Sequence, residues 1–213
     1  MDKIELQNTL PCVFEGREVQ SDIWLQDVTF QKGETILVEA SSGTGKSSLC
    51  SYIIGYRKDY LGKILFDDRD IRQYGVSDWT AIRKHTLSLL FQELRLFPEL
   101  TAMENVQLKN RLTGYKTDEE IERMLTALMP ADKRDQPVRT LSLGQRQRVA
   151  AVRALCQPFR FLMLDEPFSH IDRDNARLVA DLILSEVERQ KAGLIVTALD
   201  PIDLFPFDKM YRL

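Results

Sequence analysis

The 213-residue chain contains no apolar run approaching the ~20 residues that a membrane-spanning helix needs. Its opening residues, MDKIELQ, lack an apolar stretch after a basic region, so no secretory leader is expected there. Work at a membrane would therefore need a partner to hold the chain in place. Cysteine is scarce: Cys12, Cys50 and Cys156 are odd in number and scattered. That excludes a disulfide framework and any metal-ligand spacing, and predicts buried, reduced thiols in a cytosolic protein. An excess of basic charge is absent too. The net charge of −3 and pI near 5.6 argue against nucleic acid as a primary partner, because such surfaces are usually basic. There are no internal repeats and no low-complexity segments. What remains is an ordinary globular composition in a length suited to one domain, with room for an inserted subdomain.

The most informative stretch is EASSGTGKSSL, residues 39–49. A phosphate loop reads G-x-x-x-x-G-K-S/T; Gly45, Lys46 and Ser47 fall in place, while Ala40 stands where the leading glycine would be. Before it, TILVE (35–39) is a β-branched apolar run suited to a buried strand. After it, Leu49, Tyr52, Ile53 and Tyr56 share one face of a helix. A turn in that position receives free backbone N–H groups and the positive end of the helix dipole. Gly43 and Gly45 let the amides curl inward, Lys46 would reach the β/γ-phosphates, and the Ser47 hydroxyl would bind Mg²⁺. The other reading is a connector that uses Gly and Ser only for their dihedral freedom. Neither flank excludes it.

Ahead of this loop, short apolar runs (IEL, CVF, IWLQDVTF) alternate with polar turns, which predicts an antiparallel meander. GKILFDDRDI from Gly62 predicts a strand and turn. Residues 93–137 are richer in helix formers and predict an inserted helical subdomain, with segments 1–92 and 138–213 forming the remainder. Within the insert, Thr117 and Glu120 form a capping box ahead of Ile121, Met124, Leu125 and Leu128, and Pro130 closes that helix. Afterwards come a helix from Leu143, a strand at 161–164, a helix from about Arg173 and a strand at 194–198. Such alternation predicts a parallel sheet, hence an α/β fold.

FLMLDEP (161–167) is an apolar strand ending in two carboxylates. In a parallel sheet the C-terminal strand ends face the ligand crevice, the same edge as a phosphate loop. There Asp165 can hold Mg²⁺ through water, and Glu166 can orient and deprotonate an attacking water. The plainer alternative is a polar turn that closes a strand. TLSLGQRQRVAAVRAL (140–155) opens a second helix at Ser142, Gly144 and Gln145, whose first-turn amides could bind another anion. Ser142 as a simple N-cap is the competing reading. A second phosphate-binding helix start would suit a site shared between two subunits.

Taken in order, these stretches resemble the ATP-binding cassette (ABC) ATPase family, across essentially the whole chain. ASSGTGKSS (40–48) resembles the Walker A loop, so Ala40, Ser41, Ser42, Gly43, Thr44, Gly45, Lys46, Ser47 and Ser48 are expected to surround the ATP phosphates. LSLGQ resembles the LSGGQ signature, FLMLDEP the Walker B strand with its catalytic glutamate, and SHID (169–172) the D-loop. FQELRLFPELTAMENV resembles the Q-loop region, which puts Gln92 at the position that contacts Mg²⁺ and water. The resemblance implies a P-loop NTPase (RecA-like) core with an N-terminal antiparallel β subdomain and the helical insert. It implies Glu166, Gln92 and Lys46 as catalytic residues, and Ser47, Gln92 and Asp165 around Mg²⁺. Phe14 is placed where an aromatic stacks on adenine, with Trp24 and Phe30 as competitors.

By the same resemblance, two cassettes would dimerise head to tail around two ATP molecules and drive a separate transmembrane permease. The chain would then sit at the cytoplasmic face of the membrane. The short length and the ENV motif (104–106) look most like the lipoprotein-export, cell-division and MacB-type cassettes. Leu94, Leu96 and Phe97 are expected to be exposed and to form the groove for a permease helix. Three other readings compete with this one. A chromosome-organising relative would need a long coiled coil between Lys46 and Ser142, and a ribosome-associated one would usually carry two cassettes. A small-molecule kinase would leave LSLGQ and Glu166 unexplained.

Three positions depart from the family pattern. Ala40 and Leu143 each replace a glycine. In LIVTALDP (194–201), Ala198 and Leu199 precede Asp200 where the family places a histidine before aspartate. The chain's only histidines, His85 and His170, match other motifs; His170 reads as structural or interfacial. Losing a charge-assisted contact to phosphate forfeits about 1.5–3 kcal/mol, roughly a tenfold to hundredfold fall in rate. Slow hydrolysis is therefore expected. Ala198→His should raise ATPase turnover while leaving ATP affinity nearly unchanged; wild-type turnover ordinary for the family would show that another group fills the histidine's role.

Overall fold

In KIELQNTLP, the buried residues Ile4 and Leu6 alternate with more exposed ones, and this alternation sets one face of the first sheet. The computed structural model describes residues 1–213. Strand β1 (Lys3–Pro11) lies between β2 (Asp27–Gln31) and β4 (Tyr60–Phe66), and a short β5 (Arg69–Asp70) flanks β4; all pairs are antiparallel. Ile4 is opposite Phe30 and Phe66, and Leu6 is opposite Val28 and Ile64, so one apolar face forms in register.

The expected meander is not what forms. CVF is one turn of 3₁₀ helix (Cys12–Phe14) between Pro11 and Gly16, and the IWLQ part of the next run is turn, with Leu25 at φ 61°. Three apolar residues hemmed in by Pro and Gly cannot extend into a ladder.

The second sheet is fully parallel, in the order β6 (Leu87–Leu90), β7 (Phe161–Asp165), β8 (Gly193–Ala198), β3 (Thr35–Glu39), β9 (Lys209–Arg212). Strands β7 and β8 are buried along their whole length, because helices cover one face and the antiparallel sheet with its own helices covers the other. The short β6 and the edge strand β9 were not anticipated.

Helix α1 (Lys46–Ile53) follows the Gly-rich turn and buries Leu49, Tyr52 and Ile53. Tyr56, expected on the same face, lies beyond the helix end and stacks on Phe91 with ring centroids 5.9 Å apart. The chain turns away at Gly55 (φ 71°), where a Cβ would strike the Trp79 ring of α2 (Val76–His85) at 2.4 Å.

Three helices occupy the 93–137 segment: α3 (Ala102–Asn110), α4 (Asp118–Leu128) and α5 (Ala131–Arg134). The Thr117–Glu120 capping box forms, and Ile121, Met124, Leu125 and Leu128 are buried against α6 (Leu143–Leu155) and α7 (Arg173–Gln190). A second box at Thr101–Glu104 opens α3. The cysteines divide: Cys50 and Cys156 are buried, with burial pushing the Cys156 thiol up to about 12, whereas Cys12 is exposed on the 3₁₀ turn. No helix is long and apolar enough to cross a membrane.

One charged contact ties the helical segment to the core. Lys116, just ahead of α4, donates from Nζ to Glu186 Oε2 of α7 at 2.7 Å, with both side chains 5% exposed. The Tyr115 hydroxyl, Arg189 and Gln190 also donate to Glu186. Burial alone would raise the Glu186 carboxyl, but donors from Arg189, Lys116 and Tyr115 outweigh it and hold the carboxyl below its usual range. A carboxyl lowered by folding adds stability above its unfolded value of about 4.3 and loses it as pH falls through the folded value. Lys116→Met should leave the buried Glu186 carboxylate with Arg189 as its one remaining cationic partner and cost about 1.5–3 kcal/mol in urea unfolding. It should also flatten the loss of stability below about pH 4.3.

Candidate functional site

The parallel sheet delivers four chain segments to its C-terminal edge. β3 leads into the Gly-rich loop, β7 ends in Asp165 and Glu166, β6 leads to Gln92, and β8 ends in Ala198. Gly43 and Gly45 adopt φ 83° and 105°, left-handed values that allow the loop to curl ahead of α1. Lys46 does not project into solvent. Its ammonium donates to the carbonyls of Ala40 (2.9 Å) and Ser41 (3.1 Å) and lies 3.4 Å from Glu166 Oε1. Ala40 thus supplies a backbone oxygen, a role its methyl group does not disturb.

Gln92 joins the two sides. Its Nε2 donates to Glu166 Oε2 at 3.1 Å, and its Oε1 accepts from the Ser47 hydroxyl at 3.5 Å. Asp165 is buried and accepts from the Thr197 hydroxyl at 2.7 Å. Glu166 sits at φ 51°, a left-handed conformation costing roughly 1–2 kcal/mol for a non-glycine residue. Its backbone N–H donates to Thr197 O (3.1 Å), and Gln147 Nε2 donates to the carbonyls of Pro167 (2.5 Å) and Glu166 (3.3 Å). Lys46, Ser47, Gln92, Asp165 and Glu166 are therefore gathered at one edge. Ser47, Gln92 and Asp165 offer hydroxyl, amide and carboxylate oxygens, a donor set suited to Mg²⁺ rather than to a softer ion.

Beside the loop is a cleft of about 250 Å³ lined by Phe14, Arg17, Val19, Trp24 and Thr44. Of the three aromatic candidates, Phe30 is fully buried in β2 and Trp24 is 1% exposed, while Phe14 is half-buried and faces the cleft. Trp24 braces the loop instead: its indole Nε1 donates to Thr44 O at 2.9 Å, and its ring underlies Gly45. Ser41, Ser42 and Gly43 are exposed along the loop, and Ser48 accepts from Arg57 Nη1 at 3.0 Å.

Ser142, Gly144 and Gln145 open α6, and both readings of this helix start have content. The Ser142 hydroxyl accepts from Gln145 N (3.2 Å) and Gln145 Oε1 accepts from Ser142 N (2.9 Å), which completes a capping box. The amides of Leu143 and Gly144 remain free at the helix start. A Cβ on Gly144 would meet the His170 carbonyl at 2.8 Å, so glycine there reflects a close approach between the start of α6 and the 169–172 loop. His170 is exposed at the edge of that contact. Ala198 ends β8 and lines a separate cleft of about 290 Å³ together with Glu166 and Leu199.

The apolar segment after Gln92 differs from expectation. Leu94 is buried in the core, Leu96 is half-buried and only Phe97 is exposed. Leu94 and Arg95 both adopt left-handed conformations (φ 60° and 49°), which turn Leu94 inward. Arg153 of α6 holds that turn, donating to the carbonyls of Leu94 (2.5 Å) and Arg95. Asn105 fixes the following loop through the backbone of Phe97, Leu100 and Thr101.

Comparison with known proteins agrees with this geometry. The profile of the ABC transporter family matches residues 26–169. The chain belongs to that family. YtrE, an ABC transporter ATP-binding protein of Bacillus subtilis, is 32% identical over 88% of this chain and 84% of its own. The lipoprotein-releasing system ATP-binding protein LolD of Saccharophagus degradans is 27% identical over 99% of this chain and 93% of its own. The ABC transporter cassette MJ0796, solved as a dimer, superposes with a TM-score of 0.77 at 26% identity, covering 92% of this chain and 88% of that one. The same cassette is known in a post-hydrolysis state bound to ADP and phosphate.

This cassette is accordingly an ATP-binding, ATP-hydrolysing subunit of a multi-chain ABC transporter, with a P-loop NTPase core. Sequence patterns did not disclose the residues that hold the motifs: Trp24, Gln147, Thr197 and Arg153. Each acts on backbone or on a motif side chain from a distant segment, so no local spacing marks them. Trp24→Phe removes both the donor to Thr44 and part of the buried ring volume under Gly45, so thermal or urea unfolding should show a loss of about 1 kcal/mol from the hydrogen bond plus a cavity cost, roughly 2–3 kcal/mol together. An unchanged midpoint would mean that the indole N–H does not support the loop.

Proposed function

We propose that this cassette binds Mg·ATP at the loop of residues 40–48, and closes head to tail on a second copy or a related cassette. Closure would drive a separate permease at the cytoplasmic face of the membrane. The observation that carries the reading is the contact chain from Lys46 through Glu166 and Gln92 to Ser47. The loop amides receive the phosphates, and Lys46 exchanges its carbonyl partners for phosphate oxygens. Ser47, Gln92 and Asp165 would hold Mg²⁺, which screens phosphate charge when bound. Glu166 accepts a proton from the attacking water, and Gln92 keeps that carboxylate oriented. Phe14 offers its ring to the base. The free amides of Leu143 and Gly144, with Ser142 and Gln145, would face the γ-phosphate held by the partner cassette.

With Ala198 in place of the histidine, hydrolysis is expected to be slow in a homodimer. Complementation by a related cassette, or by His170 across the dimer, would relieve that. The 93–137 segment acts as the helical subdomain that meets the permease, with Phe97 rather than the buried Leu94 on the docking face.

Glu166→Gln keeps the hydrogen-bonding shape but cannot accept a proton. It should bind ATP, turn over far more slowly and run as a nucleotide-dependent dimer in gel filtration. Turnover equal to wild type would place the base elsewhere.

A further inference from the structure

Between α3, α6 and the segment after β6 lies a cleft of about 250 Å³ whose walls include Phe91, Phe97 and Leu108, with three cations, Arg95, Lys109 and Arg153. No carboxylate lines it. Arg95 lies over the Phe91 ring at 4.1 Å and reaches only the exposed Glu93 on the rim, at 3.8 Å. Arg153 donates to two neutral carbonyls and forms no ion pair. Lys109 has the Arg83 carbonyl as its sole partner, at 3.4 Å.

Two half-buried cations therefore sit side by side without a counter-charge, an arrangement that costs free energy unless an anion arrives. Burial, with the Arg153 charge behind it, pulls the Lys109 ammonium down to about 8, and burial brings Arg153 to about 10. Among the apolar residues lining the cleft, Phe97 is 56% exposed and Leu108 42%. The complement of such a surface is an amphipathic helix with one acidic residue among apolar ones.

We propose that Lys109 and Arg153 form a receptor for a single carboxylate side chain on the permease segment that docks at this face. The proposal rests on the permease reading above and adds the chemistry by which the partner is recognised. A lipid phosphate would also carry negative charge, but the recessed position and apolar rim favour a side chain presented on a helix.

The test co-expresses the cassette with its permease. Leu108→Cys in a Cys12→Ser background, carrying a maleimide–benzophenone cross-linker, reports docking. In that background Lys109→Glu should lower the co-purified permease at least roughly tenfold. Replacing one Asp or Glu by Lys in a cytoplasmic permease loop should restore it. Cross-linking with undiminished co-purification in Lys109→Glu would leave docking standing and overturn the carboxylate receptor. Absence of any cross-link at Leu108 would overturn the docking reading and the receptor with it. Lys109-dependent binding of the cassette alone to phosphatidylglycerol vesicles, with the permease yield unchanged, would reassign the cleft to lipid. Should Lys109→Glu lose its cooperative thermal transition, Lys109→Gln makes the same measurement, with a smaller loss expected and rescue by the same loop variants absent.

Discussion

The ammonium of Lys46 is held by two carbonyls of its own loop and by a carboxylate from a different strand, and the arrangement of the site follows from that set of contacts. The two carbonyls close the loop on itself. The carboxylate draws Glu166 toward the loop, and Glu166 in turn holds Gln92. Phosphate oxygens would compete with these partners for one ammonium. On the proposed reading, a nucleotide would do two things on arrival: it would take the charge of Lys46, and it would release Glu166 from a neutralising contact so that its carboxylate could meet water.

Such a site requires backbone held in uncommon conformations. Glu166, Leu94 and Arg95 all lie in the left-handed region, and each is fixed from outside its own segment. Thr197 and Gln147 hold the backbone at Glu166, and Arg153 holds the Leu94–Arg95 turn. The strain is local, whereas its restraint is distributed over β8 and α6. That is why a change at Gln147 or Arg153 would be felt at Glu166 or Gln92 without touching either side chain directly.

Much of the candidate site was legible because its motifs use particular residue types at fixed spacing: Gly45-Lys46-Ser47, Asp165-Glu166 and Ser142-Leu143-Gly144-Gln145. Long apolar runs such as LIVTA were legible as strands because both faces are buried. Elements with weaker patterns escaped. β6 is four residues with a polar Ser88 in its middle, satisfied only by the Ala154 carbonyl of α6. β9 is an edge strand of mixed polarity, and α2 fully buries only Trp79. Leu94 reads as an exposed loop leucine until Arg153, 59 positions away, is known to hold its carbonyl. Adenine-side assignment was open among three aromatics because their burial, which separates them, depends on tertiary packing alone.

Arg153 also bears on how a partner's force could reach the ATP site. It stands on α6, the helix that begins at the signature residues, and grips the chain two and three residues after Gln92. A side chain pressing into the cleft beside Arg153 would therefore act on a group bonded to both the Gln92 segment and the signature helix. Packed elements of this kind shift between discrete arrangements rather than deforming smoothly. Physical continuity makes coupling possible, and differential binding to two arrangements makes it energetic. If a carboxylate seated at Lys109 and Arg153 withdrew one Arg153 hydrogen bond from Leu94, the left-handed turn would lose its restraint. Gln92 would then be free to move relative to Glu166.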